Sequence, residues 1–307
     1  MKILLTGAAG QLGSELLPLL ARQGEVFATD RGTPASATAN WLQLDISDKA
    51  GLDSLLNRLR PELIINTAAY TAVDQAEDDP DMAFAINAGL PEQLAGWSKG
   101  NGARLLHYST DYVFNGEGKT PYRETDLPDP QCVYGETKLA GELLIKESGC
   151  EHVTLRTSWV YSSHGKNFVL SMLNLARRGL ALKVVDDQRG CPTSARNLAL
   201  ASVAVIQAWQ SPGNHERNGL FHYCDDRDLS WYDFAACIFD LATKKKLLKS
   251  RPDLAPVPGT EFPQPAKRPA WSVLDTALIE QTFDIHPASF NESLEFVLNE
   301  IVQRELI

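Results

Sequence analysis

Residues 6–13 constrain the fold of this chain more than any other feature of the sequence. They read Thr-Gly-Ala-Ala-Gly-Gln-Leu-Gly, follow an apolar run, and open a segment with helical spacing. Glycines in a turn between a strand and a helix let a pyrophosphate approach the backbone at the helix N-terminus. The sequence therefore predicts a dinucleotide-binding turn in a parallel α/β fold. The contacts expected from this turn are Gly7, Gly10, Gln11, Leu12 and Gly13.

Short β-rich runs alternate with helical patterns through the first half of the chain. Strands are expected at 2–6, 25–30, 41–45, 63–66, 104–108 and 152–157. Leucines at helical spacing over 52–59, after Ser47 as a candidate N-cap, predict one crossover helix, and Pro18 should kink the helix that starts at Gln11. The alternation predicts a Rossmann-type doubly wound parallel sheet, with a dinucleotide-binding domain over residues 1–160.

The pattern loosens after about residue 161. Helices are expected at 168–178, near 198–209 and at 231–243, with a strand at 182–185. The segment 251–269 holds six prolines and should run extended or as a loop. We interpret residues 161–307 as mainly a smaller α/β substrate-binding domain, with some segments of 180–250 returning to the first sheet.

Charge and cysteine content exclude several classes of partner. The net charge of −10 argues against broad contact with nucleic acid or an anionic membrane. Five cysteines without C-x-x-C spacing indicate neither a disulfide framework nor a zinc site, which favours a reducing cytoplasm. The apolar stretch near 198–209 is shorter than the ~20 residues of a membrane span, and the first residues lack the apolar core of a signal peptide. We expect a cytoplasmic protein.

The choice of dinucleotide depends on the end of the second strand. Asp30 lies 17 residues beyond Gly13 (30 − 13), where a carboxylate can bind the adenosine ribose hydroxyls and favour NADH. Arg31 follows and can instead bind the 2′-phosphate of NADPH, so either cofactor remains possible. Further cofactor contacts are expected from Asp45, Ile46, Ala68, Ala69 and Tyr70.

Tyr134 and Lys138 lie four residues apart, hence on one face of a helix that starts after Pro130. A phenol with an ordinary pKa of ~10 is a weak acid–base group at neutral pH, and a neighbouring ammonium stabilises its phenolate. Thr110 ends the fifth strand 24 residues earlier (134 − 110), at the sheet edge where ligands bind, and its hydroxyl can polarise a carbonyl. The candidate catalytic residues are Thr110, Tyr134 and Lys138.

These features together resemble the extended short-chain dehydrogenase/reductases over about the first 160 residues. The sequences at 109–114 (Ser-Thr-Asp-Tyr-Val-Phe), 133–138 (Val-Tyr-Gly-Glu-Thr-Lys), 156–161 (Arg-Thr-Ser-Trp-Val-Tyr) and 187–193 (Asp-Gln-Arg-Gly-Cys-Pro-Thr) are similar to those of the dTDP-4-dehydrorhamnose reductases. This resemblance implies reduction of the C4 ketone of a dTDP-sugar by NADPH or NADH. It implies that Tyr134 delivers the proton, that Lys138 holds the nicotinamide ribose and lowers the pKa of Tyr134, and that Thr110 orients the ketone.

The same resemblance implies a sugar pocket and an assembly. Asp111, Tyr112 and Trp159 would line the pocket, and Arg268 would contact the pyrophosphate of the substrate. Related dehydratases carry Asp-Glu where this chain has Asp111-Tyr112, which argues against elimination chemistry. Glu15 matches one glutamate of a magnesium-bridged dimer, but Arg196 stands where a second glutamate is expected, so we predict no metal and only a possible homodimer.

The sequence is also compatible with two other functions. Another sugar-nucleotide reductase or an epimerase of the same fold would share the motifs, and a non-catalytic regulatory subunit would bind only the cofactor. The complete set Thr110, Tyr134 and Lys138 argues against the regulatory subunit, because a binding module needs no proton donor. An epimerase would retain its cofactor through the cycle, whereas a reductase must exchange it.

Overall fold

A computed structural model describes residues 1–34, 40–210 and 217–305. The strands are β1 (Lys2–Thr6), β2 (Glu25–Asp30), β3 (Trp41–Gln43), β4 (Leu63–Asn66), β5 (Arg104–Thr110), β6 (His152–Thr157), β7 (Val160–Tyr161), β8 (Leu182–Val185), β9 (Arg189–Gly190), β10 (Thr193–Ser194), β11 (Gly219–His222), β12 (Leu229–Ser230) and β13 (Leu254–Val257). The helices are α1 (Gln11–Leu20), α2 (Lys49–Leu59), α3 (Val73–Asp78), α4 (Pro80–Phe84), α5 (Leu90–Asn101), α6 (Val133–Ser148), α7 (Phe168–Arg177), α8 (Ala195–Gln210), α9 (Trp231–Lys244), α10 (Ala277–Phe283) and α11 (Phe290–Glu305). A π-helix (Ala85–Gly89) joins α4 to α5, and 3-10 turns occupy Asp111–Val113 and Gly259–Glu261.

Seven parallel strands form the central sheet in the order β11-β6-β5-β4-β1-β2-β3. The predicted doubly wound parallel sheet is confirmed. The expected third strand ends at Gln43 instead of residue 45, and the fifth continues through Thr110. Parallel strands that are covered on both faces are continuous apolar runs, and their positions can therefore be predicted from the sequence.

Helices cover both faces of this sheet. On one face, α1 and α8 pack on Ile3, Leu5 and Leu106. On the other, α2 and α5 pack on Leu4, Ile64 and Leu105. The alternation of these residues along each strand follows from the two-residue period of a strand.

Two local predictions concern the helix starts and the proline in α1. The N-cap of α2 is Asp48, whose carboxylate accepts from the Gly51 amide, so the prediction of Ser47 was wrong. Ser47 instead donates its hydroxyl to Asp45 at 2.8 Å. Pro18 lies within α1, which continues to Leu20.

The second half of the chain supplies a separate core and also returns to the sheet. Three two-stranded sheets pair β10 with β7, β12 with β9, and β13 with β8. Around them α7, α9 and α11 bury an apolar cluster that includes Phe234, Phe239 and Phe290. In contrast, β11 pairs with β6, and α8 packs against α1. The division into domains at residue 160 stays a prediction.

None of the helices described in the structure is long and apolar enough to cross a membrane.

Candidate active site

The glycine turn after β1 brings the backbone against the loop that follows β4. Gly7 has φ +67°, and a Cβ there would lie 2.7 Å from the Ala68 nitrogen. A Cβ on Gly13 would collide with the Gly7 carbonyl oxygen. No side chain caps the first turn of α1, which also lacks an acidic residue, so its amide groups can face an anion. These features fit a bound dinucleotide pyrophosphate.

Asp30 lies beside this turn, as the sequence predicts. Its Oδ2 accepts from the Ala9 amide at 3.0 Å, and its Oδ1 accepts from the Arg31 amide at 2.8 Å. The Arg31 side chain is exposed, and Gln43 donates to the Arg31 carbonyl at 2.8 Å. Asp45 follows the end of β3, the strand that pairs with β2. Hydrogen bonds from Ser47 lower the pKa of the Asp45 carboxyl group. Asp30 therefore supports the glycine turn, and the contact of Arg31 with a 2′-phosphate stays a prediction.

Asn87 in the π-helix holds the loop over Ala68, Ala69 and Tyr70. Its side chain accepts from the Tyr70 amide at 2.8 Å and donates to the Tyr70 carbonyl at 3.1 Å. It also donates to the Thr137 hydroxyl at 3.1 Å, next to Lys138. π-helical turns occur often at functional sites. Asn87 is not predictable from the sequence, where it is one asparagine in a helical segment.

Thr110 and Tyr134 meet at the carboxyl end of β5. Thr110 is the last residue of this strand, and its hydroxyl lies close enough to the Tyr134 phenol to lower the pKa of that phenol. The Thr110 hydroxyl also donates to Asp111 Oδ1 at 3.0 Å. The Tyr112 ring meets the Tyr134 ring edge to face, with centroids 5.5 Å apart. The structure thus brings together the predicted hydroxyl, phenol and two of the pocket residues.

Lys138 lies one turn after Tyr134 on α6 and is fully buried. Its ammonium donates to the Tyr108 carbonyl at 2.6 Å. Burial lowers the pKa of Lys138 to about 8, although the Glu142 carboxylate opposes this change. Burial also raises the pKa of Tyr134 well above its usual value, with the nearby Thr110 hydroxyl acting in the other direction. The expected lowering of the Tyr134 pKa by Lys138 is therefore not seen, because burial dominates and the ammonium binds the Tyr108 carbonyl.

Asp111 is a buried carboxyl group in the same cluster. Burial raises its pKa to about 7, while the hydrogen bond from Thr110 and the nearby Ser272 hydroxyl lower it. Ser272 and the Trp159 ring both lie against Gly190. A Cβ added to Gly190 would be 2.6 Å from the Trp159 ring. Asp111 and Trp159 therefore face the same region.

Trp159 and Arg268 are each held by a specific partner. Trp159 has φ +48° and stacks on Trp231, with ring centroids 3.4 Å apart and planes 5° from parallel. Arg268 donates two hydrogen bonds to Asp74 at 2.8 and 2.9 Å, and its charge also acts on Tyr112. The roles of Trp231 and Asp74 are not predictable from the sequence, because their contacts join segments that are distant in the chain.

Glu15 lies apart from this cluster. Burial and the nearby Glu300 raise the pKa of its carboxyl group, while Arg196 and Arg304 lower it. The Arg196 guanidinium stacks on Phe296 at 3.9 Å. Within residues 1–34, 40–210 and 217–305, no three acidic, histidine or cysteine side chains are grouped to hold a metal ion. The absence of a metal and the homodimer stay predictions.

Comparisons with known proteins connect this site to one family. The protein-family model described as "RmlD substrate binding domain" matches residues 1–303. The dTDP-4-dehydrorhamnose reductase of Escherichia coli K12 is 40% identical over 98% of both chains. The crystal structure of the dTDP-4-dehydrorhamnose reductase from Clostridium acetobutylicum has a TM-score of 0.87 and 39% identity, and covers 98% of this chain and 100% of its own.

A third relative was crystallised with a cofactor. The dTDP-4-dehydrorhamnose reductase of Bacillus anthracis, in complex with NADP, has a TM-score of 0.86 and 32% identity, and covers 97% of this chain and 99% of its own. The family model spans nearly the whole chain, and the relatives match it over nearly their full length. This chain therefore belongs to the family of the RmlD substrate binding domain.

Proposed function

We propose that this chain reduces the C4 ketone of dTDP-4-dehydro-L-rhamnose to dTDP-L-rhamnose, with NADPH or NADH as the reductant. The observation that carries this proposal is that Thr110, the last residue of β5, lies next to Tyr134, one turn before Lys138 on α6. The names of the relatives support the choice of substrate. The dinucleotide, when bound, supplies a hydride to the ketone carbon.

The residues of the chain then handle the ketone oxygen. Thr110 orients this oxygen with its hydroxyl, and Tyr134 gives it a proton, so that the ketone becomes an alcohol. Because the pKa of Tyr134 is raised, the phenol is fully protonated at neutral pH, which is the form that a reductase requires. The Lys138 ammonium holds the nicotinamide ribose, and the phenolate that this step leaves regains its proton from solvent.

Asp111, Tyr112, Trp159 and Arg268 are proposed to bind the dTDP-sugar. Trp159, stacked on Trp231, offers an apolar ring face to the sugar, while Arg268 offers a guanidinium to the pyrophosphate. Asp74 fixes the direction of that guanidinium. Asp30 and Arg31 are proposed to contact the adenosine ribose of the cofactor, and the exposed Arg31 favours NADPH.

Oxidation of NADPH and NADH by the purified protein tests the proposal, with dTDP-4-dehydro-L-rhamnose supplied as the substrate. We expect turnover with this sugar, and we expect the purified protein to carry little reduced or oxidised dinucleotide. Tightly retained dinucleotide without net oxidation would instead identify an epimerase. Dinucleotide binding with no turnover of any nucleotide sugar would identify a regulatory subunit.

Replacing Asp74 with asparagine should raise the KM for the nucleotide sugar several-fold and leave kcat nearly unchanged. Asp74 orders the Arg268 guanidinium in a partly exposed ion pair, and a loss of this ordering that costs about 1 kcal/mol of binding corresponds to roughly five-fold in affinity. Steady-state kinetics at saturating cofactor measure this effect. Asp240→Asn, which removes the exposed partner of Arg251, is the matched control. A change in kcat alone would contradict this role for Asp74.

The activity should fall as the pH rises through about 8, the pKa of Lys138. The ammonium is present below this pH and is lost above it, whereas Tyr134 keeps its proton throughout. In Lys138→Arg, whose guanidinium stays charged, the alkaline fall should move to higher pH. The pH dependence of kcat checks both statements, and a profile that stays flat well above pH 8 in the parent would disagree with them.

A further inference from the structure

Polar side chains occupy one position of the register on three neighbouring strands of the central sheet, β1, β4 and β5. Strand pairing aligns Thr6 with Asn66, and Asn66 with His107. We call these three residues the polar row. The preceding aligned residues on the same face are Leu4, Ile64 and Leu105. Since a sheet covered on both faces normally carries apolar side chains, the polar row requires a physical reason.

Hydrogen bonds connect the polar row to Lys138. The Thr6 hydroxyl donates to Asn66 Oδ1 at 2.6 Å, and Asn66 Nδ2 lies 3.1 Å from His107 Nδ1. His107 Nε2 lies 3.4 Å from Lys138 Nζ. Each residue of the row is at most 1% exposed. Buried polar groups are costly without partners, so the row is stable because each member is bonded to the next.

The protonation of His107 links the row to the charge of Lys138. Burial and the Lys138 charge hold the pKa of His107 well below its usual value, so its ring is neutral and has one N–H group. With the Asn66 nitrogen donating to Nδ1, the proton lies on Nε2 and can be donated to a neutral Lys138 amine. With the Asn66 amide turned over, its nitrogen donates to the Thr6 hydroxyl oxygen, its oxygen accepts from Nδ1–H of His107, and Nε2 accepts from a Lys138 ammonium.

We propose that His107, oriented by Asn66 and Thr6, is a positioning residue that holds the Lys138 side chain in its catalytic direction and favours its ammonium form. A bond from an ammonium is about twice as strong as one between neutral groups, so the second arrangement stabilises the charge. This inference rests on the proposed function, because it gives Lys138 a part in the reaction.

The other titratable and charged groups near Lys138 and His107 are not altered by the substitutions that test this proposal. Glu142 faces Lys138 from the same helix and is paired with Arg156 of β6. His152, also on β6, acts on His107. Substitutions at His107 and Asn66 leave all three in place, so a change in the titration of Lys138 reports on the polar row.

Two amide substitutions at His107 distinguish the contact with Lys138 from the presence of any polar side chain at this position. A glutamine amide reaches about as far as Nε2 of histidine, whereas an asparagine amide reaches only about as far as Nδ1. His107→Gln therefore keeps an acceptor for Lys138, and His107→Asn keeps only the contact with Asn66. The titration of Lys138 is followed by NMR on protein with isotope-labelled lysine, in which the Lys138 signal is the one lost in Lys138→Arg.

We expect His107→Asn to lower the pKa of Lys138 by about one pH unit and the alkaline limb of kcat to move with it. His107→Gln should stay within a few tenths of a unit of the parent. If Lys138 titrates in His107→Asn as it does in the parent, the proposal is overturned. If the parent shows no turnover, the proposed function fails, while the NMR titration still decides the role of His107.

Asn66→Asp provides a second test if His107→Asn does not fold. An aspartate presents only oxygen to Nδ1, so it fixes the tautomer in which Nε2 accepts from Lys138. The pKa of Lys138 should then rise. A pKa that falls or stays unchanged would contradict the proposal, because both the tautomer and the added carboxylate act in the same direction.

Discussion

Tyr134→Phe is expected to lower kcat by about a thousand-fold while the protein still binds its dinucleotide. The substitution removes only the hydroxyl that meets Thr110, and general acid catalysis contributes roughly 10²- to 10⁴-fold. The phenyl ring keeps the edge contact with Tyr112, so the pocket retains its shape. Steady-state kinetics give the loss of turnover, and calorimetric titration with NADPH gives the binding.

A phenol outside the site provides the matched control for this variant. Tyr232 lies on α9, packed against the second core, and Tyr232→Phe should leave kcat unchanged. If Tyr134→Phe kept most of the parent's kcat, another group would have to protonate the ketone oxygen. Asp111 would then be the first candidate, because its carboxyl group is neutral over part of the working pH range.

Glu142→Gln is expected to destabilise the fold by about 3–5 kcal/mol, because it leaves a buried arginine without its counter-charge. Arg156 donates to both oxygens of Glu142, at 2.8 and 2.6 Å, and the two side chains are 2% and 7% exposed. The pair joins the catalytic helix α6 to β6. Denaturant unfolding of the parent and the variant measures the change in the free energy of unfolding.

An exposed ion pair shows how much of this effect comes from burial. Arg251 pairs with Asp240 at 2.6 Å, but both side chains are about half exposed. Asp240→Asn should therefore change the free energy of unfolding by less than about 1 kcal/mol. Equal effects of Glu142→Gln and Asp240→Asn would show that burial of the Arg156 pair does not control stability.

The sequence predicts most of the first half because its signals are local. Apolar runs locate β1, β2, β4 and β6 at their observed bounds, and the glycine turn follows from spacing alone. The α2 cap was misplaced by one residue because Ser47 and Asp48 are both good capping residues. The structure decides between them, since Ser47 bonds to Asp45.

The parts of the site that the sequence did not predict depend on contacts between distant segments. Asn66 and His107 look like isolated polar residues within apolar strands, and only the register of the sheet aligns them. Likewise, Tyr-x-x-x-Lys spacing places Lys138 near Tyr134, but it does not show that the Tyr108 carbonyl accepts a hydrogen bond from the Lys138 ammonium. The direction of the Tyr134 pKa follows from burial, which the spacing does not reveal.

Transfer of a deuteride tests the central claim most directly. Dinucleotide carrying deuterium at the transferred position is mixed with the protein and dTDP-4-dehydro-L-rhamnose, and the product is examined by NMR and mass spectrometry. We predict dTDP-L-rhamnose with one deuterium on C4. Oxidised dinucleotide with no deuterium on C4 of the sugar, or no product at all, would contradict the assignment of this site to ketone reduction.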